Sequence, residues 1–354
     1  MVFVWIGFFV IIGILLAIDL GVLNKTPKAL SVREAAIASG IWIAIGLSFS
    51  ALVFLIYEFH WGGIGSKRYV DGLQAVQEYT TAYLIEQSLS VDNIFVIALL
   101  MRFFKVRSEH QHRVLYWGIL GAIVFRGIMI AAGSALVASF DWIFYVFGVV
   151  LFYTAWKMMF GGEDDIDPSQ SRVFKLAERI LPVDNKYHDD RFRVTIDGKK
   201  VFTLLFVVVL VIEATDVVFA VDSIPAIFGF TQEPFIIMTS NIFAILGLRS
   251  LYFVVAGAMR EFRYLKLAVS VILLLVGVKM FLHTILEDPP GEHTIATISL
   301  IAVVAILAAG VIASIVANRR DQKAGAIDEP PLMAAHPPAT PPSDDLPPSG
   351  DAPR

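Results

Sequence analysis

The chain contains no cysteine. That absence removes disulfides, thiolate metal sites, iron–sulfur clusters and cysteine nucleophiles together. Charge is scarce as well. Asp, Glu, Lys and Arg make up 17% of 354 residues, where a soluble domain carries about a quarter. Net charge is −4, which gives no electrostatic footprint for nucleic acid. The start, Met1-Val-Phe-Val-Trp-Ile-Gly, lacks the basic leader and small-residue cleavage site of a secretory signal, so residues 2–20 read as a retained span. No intramembrane Ser-His pair, His-Glu-x-x-His motif or Gly-x-Gly-Asp context occurs, and the chain is expected not to be an enzyme.

What is present is apolar: 57% of residues are hydrophobic and mean hydropathy is +0.71. The expected fold is an all-α polytopic membrane protein. Stretches long enough to cross a bilayer, about 20 residues, fall near 2–20, 38–57, 79–101, 114–137, 142–160, 201–222, 235–258, 267–286 and 295–317. Nine transmembrane helices are therefore expected within a 1–320 membrane domain. Lys and Arg alternate across the joints. Loops 21–37, 102–113, 161–200 and 259–266 and the exit with Arg319, Arg320 and Lys323 are basic. Loops 138–141, 223–234 and 287–294 have neither residue, and 58–78 has only Lys67 and Arg68 among acids. Positive-inside logic places the N-terminus outside and the C-terminus in the cytoplasm. The region 321–354, which holds most of the chain's 16 prolines, reads as a disordered cytoplasmic tail. In 161–200, Ser171–Leu181 suits a short amphipathic helix, and Arg193-Val-Thr-Ile-Asp-Gly-Lys-Lys reads as a turn between strands.

Two segments carry carboxylates inside apolar runs: Tyr83-Leu-Ile-Glu-Gln-Ser-Leu-Ser-Val-Asp-Asn-Ile-Phe-Val-Ile and Leu210-Val-Ile-Glu-Ala-Thr-Asp-Val-Val-Phe-Ala-Val-Asp-Ser-Ile-Pro-Ala. An ionised group at membrane depth is costly unless it faces a polar interior, so such residues mark an ion site or pathway. The segments also echo each other. Asp92-Asn-Ile-Phe-Val matches Asp216-Val-Val-Phe-Ala about 124 residues on, Arg126 matches Arg249, and Lys157-Met158 matches Lys279-Met280. Three helices thus recur in order, over 79–160 and 201–286. An odd number of spans per copy inverts the second, the arrangement of many secondary transporters. At about 100° per residue, Glu86, Ser90 and Asn93 share a face, as do Glu213 and Asp216, while Asp92 and Asp222 point elsewhere. Two arrangements satisfy this: helices that unwind between the acids, with Pro225 marking a break, or a wide site.

Glu86, Asp92, Asn93, Glu213, Asp216, Asp222 and Asn241 are the candidate metal ligands. Their oxygens suit Mn²⁺, Ca²⁺ or Mg²⁺, and without thiols zinc and copper fit poorly. The competing reading is a structural ion-pair network with Arg126 and Arg249. Glu86 and Glu213 read as ligands or proton carriers, and Asn93 and Asn241 as ligands or helix-bridging amides. Arg126 and Arg249 are assigned as counter-ions that gate the site, with anion binding as the rival. Lys157 snorkels to the surface; Lys279 lies deeper. Asp19 reads as a helix-end or entrance residue, and His110 and His112 as solvated.

Four stretches closely resemble the TerC family of integral membrane proteins: Glu86-Gln-Ser-Leu-Ser-Val-Asp-Asn-Ile-Phe-Val, Trp117-Gly-Ile-Leu-Gly-Ala-Ile-Val-Phe-Arg, Asp216-Val-Val-Phe-Ala-Val-Asp-Ser-Ile-Pro-Ala and Ser240-Asn-Ile-Phe-Ala-Ile-Leu-Gly-Leu-Arg-Ser-Leu-Tyr-Phe. Ile18-Asp-Leu-Gly-Val is similar to the family's start, and the likeness runs from about residue 10 to 286. The resemblance implies a bacterial inner-membrane protein related to manganese exporters, with an involvement in tellurite resistance. Two functions follow as expectations. One is a divalent-cation transporter exporting Mn²⁺, with proton coupling. The other is a non-transporting scaffold or sensor of a tellurite- or stress-resistance assembly, recruiting protein partners through loop 161–200 and the tail. Lipid and a divalent ion are the remaining expected partners.

Overall fold

In a computed structural model of the chain, residues 2–21, 32–65, 71–140, 142–160, 182–184, 191–196, 198–257, 264–285 and 292–323 are described. Five helices come first: α1 (Val2–Gly21), α2 (Val32–Glu58), α3 (Gly72–Phe103), α4 (Ser108–Ser139) and α5 (Ile143–Phe160). Three short strands follow, β1 (Val183–Asp184), β2 (Arg193–Ile196) and β3 (Lys199–Thr203). The chain continues as α6 (Leu204–Phe228), α7 (Pro234–Leu246), α8 (Leu248–Gly257), α9 (Leu265–Ile285) and α10 (Glu292–Lys323).

Among the described residues, α1 to α6 and α10 are each long and apolar enough to cross a bilayer, seven in all, and α7 with α8 makes an eighth if that bent pair is one span. The protein is therefore a multi-pass, predominantly helical membrane protein. Expected segment 267–286 coincides with helix α9. Several boundaries differ from the sequence reading. α3 starts at Gly72, because the Asp71 carboxylate caps it by accepting from the Gln74 amide at 2.7 Å. Residues 201–203 are strand, and the helix that follows runs to Phe228.

No break occurs at Pro225; α6 continues through it. A proline one turn from a helix end removes little hydrogen bonding, and the Pro225 carbonyl still accepts from Gly229 N at 3.1 Å. The interruption lies instead between α7 and α8, which bend by 47° at Gly247. α3 is also continuous, so the acids are spread along unbroken helices.

α3 is the central helix. In its most apolar window 65% of residues are buried, against 17% for α1 and for α10. It packs against α2, α6, α7, α8 and α10. α4 packs on α6, α7 and α8, and α5 lies along α9. At one end of the bundle, β3 pairs antiparallel with β2 and parallel with β1. The β2–β3 hairpin turns through Gly198, whose φ of +76° suits a residue without a Cβ. This small sheet is the one departure from all-α architecture among the described residues. The expected helix Ser171–Leu181 lies outside them. So does the tail beyond Lys323, although residues 321–323 belong to α10.

Candidate functional site

Arg126 lies near the middle of α4 and is 1% exposed. A guanidinium there must find acceptors, and the sequence supplies them from three other helices. Nε and Nη2 donate to the two Asp216 carboxylate oxygens of α6, at 3.0 Å each, in a bidentate fork. Nη1 donates to Glu86 Oε1 of α3, itself fully buried, and lies 3.5 Å from Asn241 Oδ1 of α7. Asn93 completes the set. In the amide orientation that satisfies both its groups, it accepts from Arg126 Nη2 at 3.3 Å and donates to the Leu89 carbonyl at 3.2 Å. Glu86 and Asn93, seven residues apart on α3, share a face as helix periodicity requires.

The cluster is not saturated. Glu86 Oε2, the Asn241 amide nitrogen and the Ser90 hydroxyl are buried without a hydrogen-bond partner. Glu213, one turn before Asp216, has neither carboxylate oxygen paired. It fits against Gly121 of α4, where any Cβ would collide with the carboxylate. A cavity of about 20 Å³ opens beside Asp216 toward the loop end of α4, lined otherwise by aliphatic side chains including Ile97, Leu115, Ile212 and Leu248. That is room for one water or one small ion.

Glu86, Asn93, Asp216 and Asn241 therefore meet on Arg126, with Glu213 adjacent. Two residues on the same helices stand elsewhere or undefined. Asp222 lies further along α6 and accepts from the Thr154 hydroxyl of α5 at 2.7 Å. Asp92 falls in α3, but its side chain is outside the described residues. Among the described residues no three His, Asp or Glu side chains gather as a ready-made metal cage. The carboxylates converge, but they converge on an arginine.

Arg249 does not counter these acids, which corrects the sequence assignment. It sits in α8, with Nη1 at 3.6 Å from Asp19 Oδ2 of α1. Its Nε and Nη2 lie 3.3 and 2.8 Å from His112 Nδ1 of α4. The physical reason is its place beyond the bend at Gly247, on a short helix that packs against α2, α3 and α4. His112 is accordingly half-buried, its ring centroid 4.7 Å from that of Phe253, rather than solvated. Asp19 is a partner of that arginine rather than a bare helix-end group.

A second polar group escaped the sequence reading. Glu78, taken as a loop residue, is buried in α3 and accepts from Gln74 Nε2 at 2.8 Å. Tyr57 donates to Glu233 at 3.4 Å nearby. Lys279 turns its ammonium over the Phe230 ring, 4.6 Å from the centroid. The Asp71-Gly cap signal was the clue that α3 begins early enough to bury Glu78.

The sequence model of the integral membrane protein TerC family matches residues 71–322. The match begins after Ile18 and extends past residue 286. An uncharacterized membrane protein of Myxococcus xanthus, STKORF319, is 40% identical over 315 residues, covering 89% of this chain and 92% of its own. An uncharacterized membrane protein of Rickettsia felis is 39% identical over 312 residues, covering 88% and 97%. A protein of Escherichia coli named putative membrane-bound redox modulator Alx is 41% identical over 280 residues, covering 78% and 85%. No solved structure matches the chain.

Proposed function

This chain belongs to the TerC family of integral membrane proteins, and we propose that it exports a divalent metal cation, Mn²⁺ first among them, across the bacterial inner membrane in exchange for protons. The observation that carries the reading is the meeting of Glu86 and Asp216, from distant parts of the chain, on one buried arginine midway along the helices. Two carboxylates around one guanidinium leave one negative charge uncompensated in an apolar interior. A divalent cation in place of the guanidinium balances both. With the cation gone, the guanidinium plus one proton restores neutrality. Exchange of the metal for one proton, with the guanidinium moving aside as the metal enters and back as it leaves, follows from that charge count. The donors are oxygens of Glu86, Asp216, Asn93 and Asn241, with Glu213 adjacent, a set that suits Mn²⁺ and also accepts Ca²⁺. Asp92 and Asp222, carried by the same two helices, are proposed as further ligands along the route.

The helix order supports two inverted units of three spans each, α3–α5 and α6–α9 with the bent α7–α8 pair as one span, within nine crossings that count α9. Their packing is mutual: α3 contacts α7 and α8 as α6 contacts α4, and α5 contacts α6 as α9 contacts α3. The basic joints then lie in the cytoplasm with the C-terminus, and the N-terminus lies outside. The protein itself catalyses no covalent step.

A radiolabelled Mn²⁺ uptake assay in inside-out vesicles tests this. Wild type is expected to accumulate the ion, and Glu86→Gln with Asp216→Asn to abolish accumulation. Undiminished uptake by that double variant rejects the site.

The name of the Escherichia coli relative favours a second reading, a membrane-bound modulator or scaffold in which the arginine cluster is structural. Without cysteine, any redox effect of this chain must pass through an ion or a partner. Absence of uptake, together with loss of protein partners when residues 161–200 are deleted, selects it; a link to tellurite resistance belongs to this reading.

A further inference from the structure

The three-stranded sheet is not an isolated cap on the bundle. β3 ends at Thr203 and α6 begins at Leu204, so strand and membrane helix are joined without a linker. Aromatic rings continue across the joint. Phe202 of the strand stacks on Phe206 of the first turns of α6, with centroids 4.5 Å apart. Phe192, beside β2, lies 6.0 Å from Trp117 of α4 and 6.3 Å from Phe206. Trp117 remains 45% exposed on a helix that crosses the bilayer. Tryptophan in that position sits at headgroup level, and its contact with Phe192 puts the sheet at the same level.

Among the described residues of the sheet the exposed charges are basic, with Asp197 in the hairpin turn as an acid the sequence adds. Arg191, Arg193, Lys199 and Lys200 are exposed, against Asp184 among the described residues of the sheet. The register pairs Thr195 with Lys200 and Arg193 with Phe202. One face of the hairpin therefore presents Arg193 and Lys200 side by side above an aromatic base, with the Arg193 guanidinium 5.1 Å from the Phe202 centroid. Arg113 of α4 extends the basic edge, its guanidinium 4.8 Å from the Phe192 centroid.

We propose that the β2–β3 hairpin, with Arg113 and Trp117, is a docking surface for anionic phospholipid headgroups of the leaflet at this end of the bundle. Charge complementarity and depth select this occupant. Basic groups at headgroup level meet lipid phosphates directly, and the exposed indole beside them needs an interfacial neighbour. The inference is independent of whether the protein moves an ion.

The test uses the purified full-length protein and short-chain phosphatidylglycerol, with phosphatidylcholine as reference, titrated by native mass spectrometry. Wild type is expected to bind phosphatidylglycerol more tightly, with the preference weakening as salt rises. Arg193→Gln and Lys200→Gln are each expected to weaken it about fivefold, and Lys199→Gln, on the other face of the hairpin, by less. The charge-keeping set Arg193→Lys, Lys199→Arg and Lys200→Arg is expected to retain the preference. Equal binding of the two lipids by wild type overturns the proposal, as would appear if the surface served a soluble acidic protein. So does a preference unchanged in the combined Gln variant with wild-type helix content. Should that variant not fold, a wild-type preference insensitive to salt overturns it equally.

Discussion

Replacing Arg126 by Met removes the charge that holds Glu86 and Asp216 together while keeping an unbranched apolar stem. In the wild-type arrangement, Glu86 and Asp216 depend on that guanidinium, which is 1% exposed and sealed from solvent. Breaking a buried ion pair by deleting one partner costs about 3–5 kcal/mol, because an uncompensated charge stays behind. Here two carboxylates are orphaned, so the upper part of that range is expected. If these oxygens form a cation site, the vacancy is also an opportunity. Mn²⁺ at about a hundred times its dissociation constant returns about 2.7 kcal/mol, more than half the loss. The assay is thermal denaturation of detergent-purified wild type and Arg126→Met, with and without Mn²⁺. Arg126→Met should melt lower and recover with metal far more than wild type gains. The triple change Arg126→Met, Glu86→Gln and Asp216→Asn should melt near wild type and ignore the metal, since a neutral cluster strands no charge. A single variant as stable as wild type would refute the claim that the ion pairs hold these helices. A destabilised variant indifferent to Mn²⁺ would refute the claim that its oxygens receive a cation.

Gly121→Ala sets a Cβ on the Glu213 carboxylate, whereas Gly118→Ala meets nothing closer than Ile212 Cγ2 at 3.7 Å. Overpacking of about 1–3 kcal/mol is expected for the first and little for the second, read as the difference in melting. If both variants melt alike, Glu213 does not occupy the notch. In the other buried network, Asp19→Asn and Arg249→Gln should show a coupling of about 0.5–3 kcal/mol in a double-mutant cycle, as contacting charges do. Their effects should be additive with those of Glu86→Gln, since the latter belongs to a separate network.

The membrane character of the chain was legible because long apolar runs have few other meanings. The meeting of Glu86, Asp216 and Arg126 was legible for the same reason. Charges inside such runs must neutralise one another, and Glu86, Asn93 and Asp216 lay on faces that periodicity could assign. Asp222 was placed off that face by the same geometry, and the structure puts it against Thr154 instead. What stayed hidden depended on tertiary direction. Arg249 sits in a run much like that of Arg126, but the 47° bend at Gly247 aims it at Asp19 and His112. Nothing local announces that bend, while Pro225, the obvious breaker, lies where α6 tolerates it. Glu78 was missed because an apolar window starts after the polar first turns of α3. Those turns are buried by neighbouring helices rather than by their own composition.

Arg126 and Glu86 lie on α4 and α3, early in the chain, whereas Asp216 and Asn241 lie on α6 and α7, beyond the sheet. The arginine is thus tied to one acid of its own half and one of the other. Were the halves to tilt apart as solid blocks, the guanidinium would travel with Glu86, and the bidentate grip on Asp216 would be the one to part. If the two halves move as units, the seam between them runs through the cluster off-centre, and the two acids are then not equivalent. Asp216 is the carboxylate that motion would bare, and Glu86 the one that would keep its escort.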